Sequence, residues 1–422
     1  MSGAALDFTD SLEFARAADT ADPLRSLRAQ FALPTDVHGT PLAYLCGHSL
    51  GLAPRAARTR VLEEIEDWER LGVLGHEQAR RPWIGYAETL RTDLALLAGA
   101  RSDEVVAMNS LSVNLHLLLA GFYRPAGGRD AILIEAGAFP SDRHVVESQI
   151  RWHGLDPRRS LIELAPRDGA DALDPADIEA AIARASERLA LVLWPGVQYR
   201  TGQAFDLARI TRAAHAAGAL AGFDLAHAIG NLPLALHADG ADFAAWCSYK
   251  YLNAGPGAIA GAFVHERHAE QPRLAGWWGH EAATRFRMSG EFVPDAGAAG
   301  WQISNPPILA AAPLGIALAL FRTAGLAALR AKSQRLTGWL EFLLQRHCAG
   351  QVAIITPAER GAQLSLRLRP AARARAAFAA LAPRGIIADW REPDVIRMAP
   401  VPLYNGFEDV WRAADALAEA CR

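Results

Sequence analysis

Short apolar runs that stop at a polar or glycine-rich turn recur through the middle of the chain. Residues 131–135, 190–193, 219–223, 242–248 and 258–265 each read as a buried strand, bounded by turn-forming residues. Between them lie stretches such as 206–218, where apolar positions return at helical spacing. Alternating strands and helices predict a mostly parallel sheet with helices on both faces. Ahead of this core, helices are expected over about 12–30 and 54–71, the second from Val61, Leu62, Ile65 and Trp68. The apolar run 115–123 follows Ser112, which reads as a helix N-cap. Residues 75–83, 277–280 and 304–307 read as loops. Beyond 307 a long helical region runs to 347 with an interruption near Gly325. Strands at 352–355 and 363–368, a helix at 371–381 and a short strand at 386–387 complete the pattern.

Composition narrows the class. At 422 residues the chain exceeds one ordinary core, so two domains are expected. A net charge of −3 gives no reason to expect nucleic acid or an anionic membrane as a partner. Cys46, Cys247, Cys348 and Cys421 are scattered without CxxC spacing and read as reduced thiols of a cytoplasmic protein. The first residues show no charged-then-apolar signal pattern. The longest apolar run, 308–321, is too short to span a bilayer.

Only two of the 43 basic residues are lysines, Lys250 and Lys332. A chain that otherwise uses arginine keeps Lys250 between two tyrosines, just after an apolar run. A desolvated lysine can lose its proton and become a nucleophilic amine, which arginine cannot. Schiff-base chemistry at Lys250 is one reading; a surface lysine is the other. Asp224 ends an apolar strand, where α/β sheets bind ligands, and a carboxylate there suits a pyridinium nitrogen. It could equally cap a helix. His227 is either a cofactor neighbour or a structural histidine. No cluster with metal-ligand spacing follows, so no metal is expected. Ser112 and Leu111 at a helix start form a ready anion site or an ordinary cap. Phe139, at a strand end, could lie flat on a planar ring, with Asp142 nearby; alone, this segment is a turn into a helix. Arg397, with apolar residues on both sides, suits a carboxylate grip or a structural ion pair.

The segments DLAHAIGN, DFAAWCSYKYLNAGPG, ISNPPI and MAPVPLYN resemble kynureninase, and the likeness runs in order over essentially the whole chain. The resemblance implies the type I fold of pyridoxal-phosphate enzymes, class V aminotransferase-like. Such a fold has a seven-stranded, mostly parallel sheet in a large domain and a smaller α+β domain. The implied division is 1–45, packing with the small domain; 46–308, the large domain; and 309–422, a linking helix and the small domain. The implied reaction is hydrolytic cleavage of the Cβ–Cγ bond of L-kynurenine or its 3-hydroxy form, in tryptophan catabolism or NAD biosynthesis. The cofactor implied is pyridoxal 5'-phosphate, bound by Leu111, Ser112, Phe139, Asp142, Asp224, His227, Tyr249, Lys250, Trp277 and Asn305. Lys250, Tyr249 and Asp224 would be catalytic, and His76, Asn305 and Arg397 would face the substrate. Trp277 and Asn305 would reach the neighbouring subunit's site in a homodimer. Some relatives carry serine where this chain has Pro195, so that hydroxyl is absent here. A cysteine desulfurase or aminotransferase on the same fold stays open, as does a non-enzymatic cofactor-binding regulator. The first would need a mobile nucleophilic cysteine, for which Cys348 is the candidate. The regulator would bring a DNA-binding extension, and none is visible.

Overall fold

The computed structural model describes residues 8–288 and 290–422; the expected features of the first seven residues lie outside it. Its centre is a seven-stranded sheet. The strands are β1 (Val105–Ala107), β2 (Ala131–Glu135), β3 (Leu161–Leu164), β4 (Leu189–Pro195), β5 (Leu220–Asp224), β6 (Phe243–Trp246) and β7 (Gly261–Val264). Their order is β1-β7-β6-β5-β4-β2-β3. Only β7 runs against the others; the remaining pairings in the row are parallel. β2, β4, β5 and β6 are nearly all buried apolar residues, as parallel strands covered on both faces must be. One face packs under Leu133, Trp194, Phe223 and Phe263, the other under Ile132, Leu193, Phe243 and Val264.

The helices that frame the site are α1 (Leu12–Ala21), α2 (Arg55–Leu71), α3 (Leu111–Phe122), α4 (Pro140–Trp152), α5 (Ile308–Ala324), α6 (Leu326–His347) and α7 (Phe407–Cys421). α5 and α6 meet at Gly325, whose φ of 74° suits a residue without a Cβ, and the chain bends there by 82°. Among the described residues no single helix is long and apolar enough to cross a membrane. A second, four-stranded antiparallel sheet follows: β8 (Val352–Ile354), β9 (Leu364–Leu368), β10 (Asp389–Arg391) and β11 (Val395–Met398), in the order β10-β11-β9-β8. Its core takes in Trp339 from α6, Phe407 and Leu417 from α7, and Ala15 from α1.

Several expectations are corrected. The helix expected over 12–30 is α1 alone, followed by a 3-10 turn at Arg25–Gln30, because Asp22-Pro23 ends it. The apolar stripe on α2 splits: Val61 packs against the core and Ile65 is half-buried, but Leu62 is 46% and Trp68 61% exposed, whereas Glu64 and Asp67 are buried. Glu64 accepts hydrogen bonds from Arg81, Trp83 and Tyr86, and Asp67 from the Arg80 amide. That polar network shares the inner face with Ala57 and Val61. The 75–83 loop contains a one-turn helix, Gly75–Gln78, and the helix at 371–381 shrinks to a 3-10 turn plus Ala374–Ala379. Ile386 and Ile387 pair with Ala43 and Tyr44, not with the small sheet.

Candidate active site

The carboxyl ends of β1, β2, β4, β5 and β6 come together on one edge of the large sheet, and a cavity of about 200 Å³ opens there. Each strand delivers residues to it. After β1 come Ser110, Leu111 and Ser112; β2 ends in Glu135, with Phe139 and Asp142 following; β4 ends in Pro195; β5 ends in Asp224, with His227 following; and Tyr249 and Lys250 follow β6. Ligand sites at this edge are the rule for open α/β sheets. Eight of the expected residues thus share one wall: Leu111, Ser112, Phe139, Asp142, Asp224, His227, Tyr249 and Lys250.

Lys250 Nζ lies 2.9 Å from His227 Nε2 and 5.7 Å from the centre of the Phe139 ring. Burial, and the cations of Lys250 and Arg397, push His227 well below its ordinary range, so its imidazole is neutral. A neutral ring accepts from the lysine head without neutralising it as a carboxylate would. Asp224 Oδ1 takes the Ala226 amide at 2.7 Å, which fixes the carboxylate at the strand end. Beside it, Asp142 is held well above the usual carboxylate range by burial and by the Asp224 charge. Asp142 is therefore neutral and can donate to the Asp224 side chain beside it. Tyr249 is pushed upward, first by burial and then by Cys247, so it stays a phenol.

The helix α3 corrects one assignment. It begins at Leu111, and its N-cap is the extended Ser110, not Ser112. The apolar run from 115 hid the polar first turn. Ser110 makes no side-chain cap bond, so the amides of the first turn point at the cavity unmet by a cap. Pro195 lines the cavity and brings no hydroxyl.

Other expected residues lie elsewhere in this chain. The His76 ring meets Trp83 edge-on at 5.5 Å. The Trp277 indole donates to the Arg285 carbonyl at 3.1 Å, and Asn305 is exposed on its loop. None of the three lines the cavity. Arg397 is fully buried on β11, with its Nε 2.6 Å from Asp389 Oδ2 and one terminal nitrogen on the carbonyl of Tyr199. The ion pair left open by the sequence is the contact present, and Tyr199 links Arg397 to the cavity wall.

Sequence reasoning missed Glu135, Ser110, Ser141, Gln198 and Tyr199 on the wall. Glu135 had a signal: it closes an apolar strand with an acid, as Asp224 does. Gln198 and Tyr199 follow β4 in a loop without a pattern of its own. One group with possible metal ligands occurs among the described residues, Glu104, His237 and His265, away from the cavity. The Glu104 carboxylate already takes the amides of Arg101 and Glu266. The two imidazoles stack with planes 16° apart, so one ion cannot lie in both ring planes. Cys348 is buried in the core of the second sheet, not on a loop at the cavity.

A family described as the kynureninase C-terminal domain matches residues 329–417. The kynureninase of Xanthomonas oryzae pv. oryzae (strain PXO99A) is 60% identical over 403 residues, covering 94% of this chain and 95% of the relative. That of Xanthomonas euvesicatoria pv. vesicatoria (strain 85-10) is 59% identical over 411 residues, covering 95% and 97%. Among solved structures, an Escherichia coli cysteine desulfurase in an S-sulfonic acid form aligns with a TM-score of 0.76 at 18% identity, over 94% of this chain and 98% of that one. A C-DES variant with glycine covalently linked to its PLP cofactor aligns with a TM-score of 0.75 at 19% identity, over 90% and 96%. At such identity these two speak for the fold alone.

Proposed function

The chain belongs to the kynureninase family, and from that premise we propose how its residues divide the work. The reaction is hydrolytic cleavage of the Cβ–Cγ bond of kynurenine, releasing L-alanine and an anthranilate, with pyridoxal 5'-phosphate as cofactor. The observation that carries the reading is the convergence of Lys250, Asp224 and the start of α3 on one strand edge.

The donor set fits this cofactor. Uncapped amides at the α3 start, with Ser112 beside them, suit a phosphate dianion. The Phe139 ring stands over the cavity for a planar ring to stack on. Asp224, with Asp142 beside it, lines the cavity and would face a ring N–H. When bound, the cofactor supplies an aldehyde for the lysine or substrate amine and an electron-withdrawing ring that weakens bonds to Cα.

On this reading Lys250 Nζ holds the cofactor and then moves the proton at substrate Cα. His227 keeps the amine aimed by its 2.9 Å contact. Asp224 holds the ring proton in place, and Asp142 keeps Asp224 oriented. Tyr249, a phenol in this setting, passes a proton to the β-carbon as the bond to the carbonyl carbon breaks. Arg397 grips the α-carboxylate, with Tyr199 tying it to the wall.

His76, Trp277 and Asn305 act across a homodimer. Supporting this, Leu274, Trp277, Phe286 and Met288 put an exposed apolar stretch on the loop segment that carries Trp277. Mixing a Lys250→Ala chain with a Trp277→Ala/Asn305→Ala chain should restore activity in heterodimers, toward about a quarter of wild type if subunits assort at random. No recovery would place these residues in their own subunit's function. His76 and Asn305 can meet a ring hydroxyl, which favours 3-hydroxykynurenine. The four free cysteines fit a reducing, cytoplasmic setting. Product analysis with L-kynurenine and 3-hydroxy-L-kynurenine side by side tests the whole: L-alanine with the matching anthranilate is expected. Pyruvate, or a transaminated keto acid, would overturn it.

A further inference from the structure

His48 stands in the loop that joins the two sheets' chemistry. Cys46 pairs with Ala399 just beyond β11, and the Gly51 amide donates to the Tyr249 carbonyl at 2.8 Å. A Cβ on Gly51 would sit 2.3 Å from the Lys250 carbonyl oxygen, so only glycine lets the loop come this close. The loop is thereby threaded between the strand that carries Arg397 and the turn that carries Lys250.

His48 is fully buried, and among the described residues neither of its ring nitrogens has a hydrogen-bond partner. A buried polar group without a partner is costly and calls for a reason. Asp389 Oδ2 lies 3.9 Å from His48 Nε2, beyond hydrogen-bond range. The same oxygen receives Arg397 Nε at 2.6 Å. On the other side, the His48 ring centre is 6.4 Å from that of His227, which contacts Lys250. Burial and the Arg397 charge push His48 down to about 3, so its ring is neutral and keeps one N–H to donate. Burial works against the Asp389 carboxylate, but the Arg397 and Arg391 charges hold it below the usual range.

An α-amino acid puts its carboxylate one bond from the carbon whose proton Lys250 moves. His48, buried between Lys250 and Arg397, is therefore placed beside the path from that carbon to the guanidinium. We propose that His48 is a second donor to the substrate α-carboxylate, acting beside Arg397, and that Asp389 is the positioning residue that turns the guanidinium. The inference rests on the reading of Arg397 as the carboxylate-gripping residue.

The test uses holoenzyme carrying His48→Leu, His48→Asn or Arg397→Lys, with L-kynurenine and with the amine that remains when its carboxylate is removed. His48→Leu should raise KM for kynurenine about tenfold or more with a much smaller change in kcat, since a donor to a charged group is lost. Inhibition by the carboxylate-free amine should not change. His48→Asn, which keeps an N–H, should recover part of the loss. A parallel loss for kynurenine and the amine, or no loss for either, overturns the proposal. Because His48 sits in the core, a folding defect is separated by reading the rise in melting temperature that saturating L-alanine produces within each variant. A rise in His48→Leu equal to wild type also overturns it. If Arg397→Lys loses carboxylate preference and His48→Leu does not, His48 alone falls. If Arg397→Lys keeps the preference, the Arg397 reading falls, and this one with it.

Discussion

The chain's two lysines occupy opposite environments. Lys332, on α6, is buried against Asp22, with Nζ 2.7 Å from its carboxylate. Burial pulls that lysine down further than the Asp22 contact pulls it back, and the pair ties the end of α1 to α6. Among the described residues Lys250 has no carboxylate in ion-pair contact: its partner is the neutral ring of His227, and its head faces a cavity. The same side chain is thus tied down in one place and left free to react in the other. What separates a structural lysine from a chemical one is the charge state of its partner and the space beyond it, not burial.

The largest effect expected from this contrast is on turnover. Lys250→Arg keeps the cation but cannot supply a free amine, so kcat should fall by about 10³-fold or more. Lys332→Arg should leave kcat close to wild type. Lys332→Met should instead lower stability by roughly 3–5 kcal/mol by stranding Asp22, with unchanged turnover per folded molecule. Equal kinetic losses at both lysines would erase the distinction. So would borohydride reduction that fixed the cofactor on the Lys332 peptide.

Why Lys250 was legible and other parts were not has physical reasons. A lone lysine amid aromatics is a local signal, and strands that end in an acid, such as β5, are visible because burial forbids charge earlier in the run. The core strands β2, β4, β5, β6 and β7 were each anticipated, their limits shifted by a few residues where turn residues extend the apolar run. The edge strands β1 and β3 were not anticipated, being short and, in β3, only partly buried. The α2 stripe misled because Glu64 and Asp67 take part of the inner face through partners, Arg80 to Tyr86, that lie one to two dozen residues on; periodicity carries no word of them. His76, Trp277 and Asn305 could be assigned only by resemblance, since nothing local fixes where an exposed loop points. His48 was passed over because an isolated histidine in a loop shows neither its burial nor its missing partners.

Glu135 extends the comparison to a buried acid that has no cation beside it among the described residues, and here the smallest effect is expected. It is 4% exposed, one oxygen has no partner among the described residues, and burial pushes it up from 4.5 to about 8. The folded chain therefore holds this proton at pH values where the unfolded chain has lost it. Below about pH 4.5 both states are protonated and Glu135 costs nothing; between about 4.5 and 8 folding is progressively penalised; above about 8 the penalty is complete. Glu135→Gln, neutral throughout, should match wild type near pH 5 and exceed its stability at pH 8.5 by on the order of a few kcal/mol. Unfolding of both proteins, each in the same cofactor-loaded state, would be followed by denaturant across that range. A stability difference that stays flat from pH 5 to 8.5 would mean that Glu135 is ionised in the fold and has found a partner, placing it with Asp22 on the structural side of the contrast.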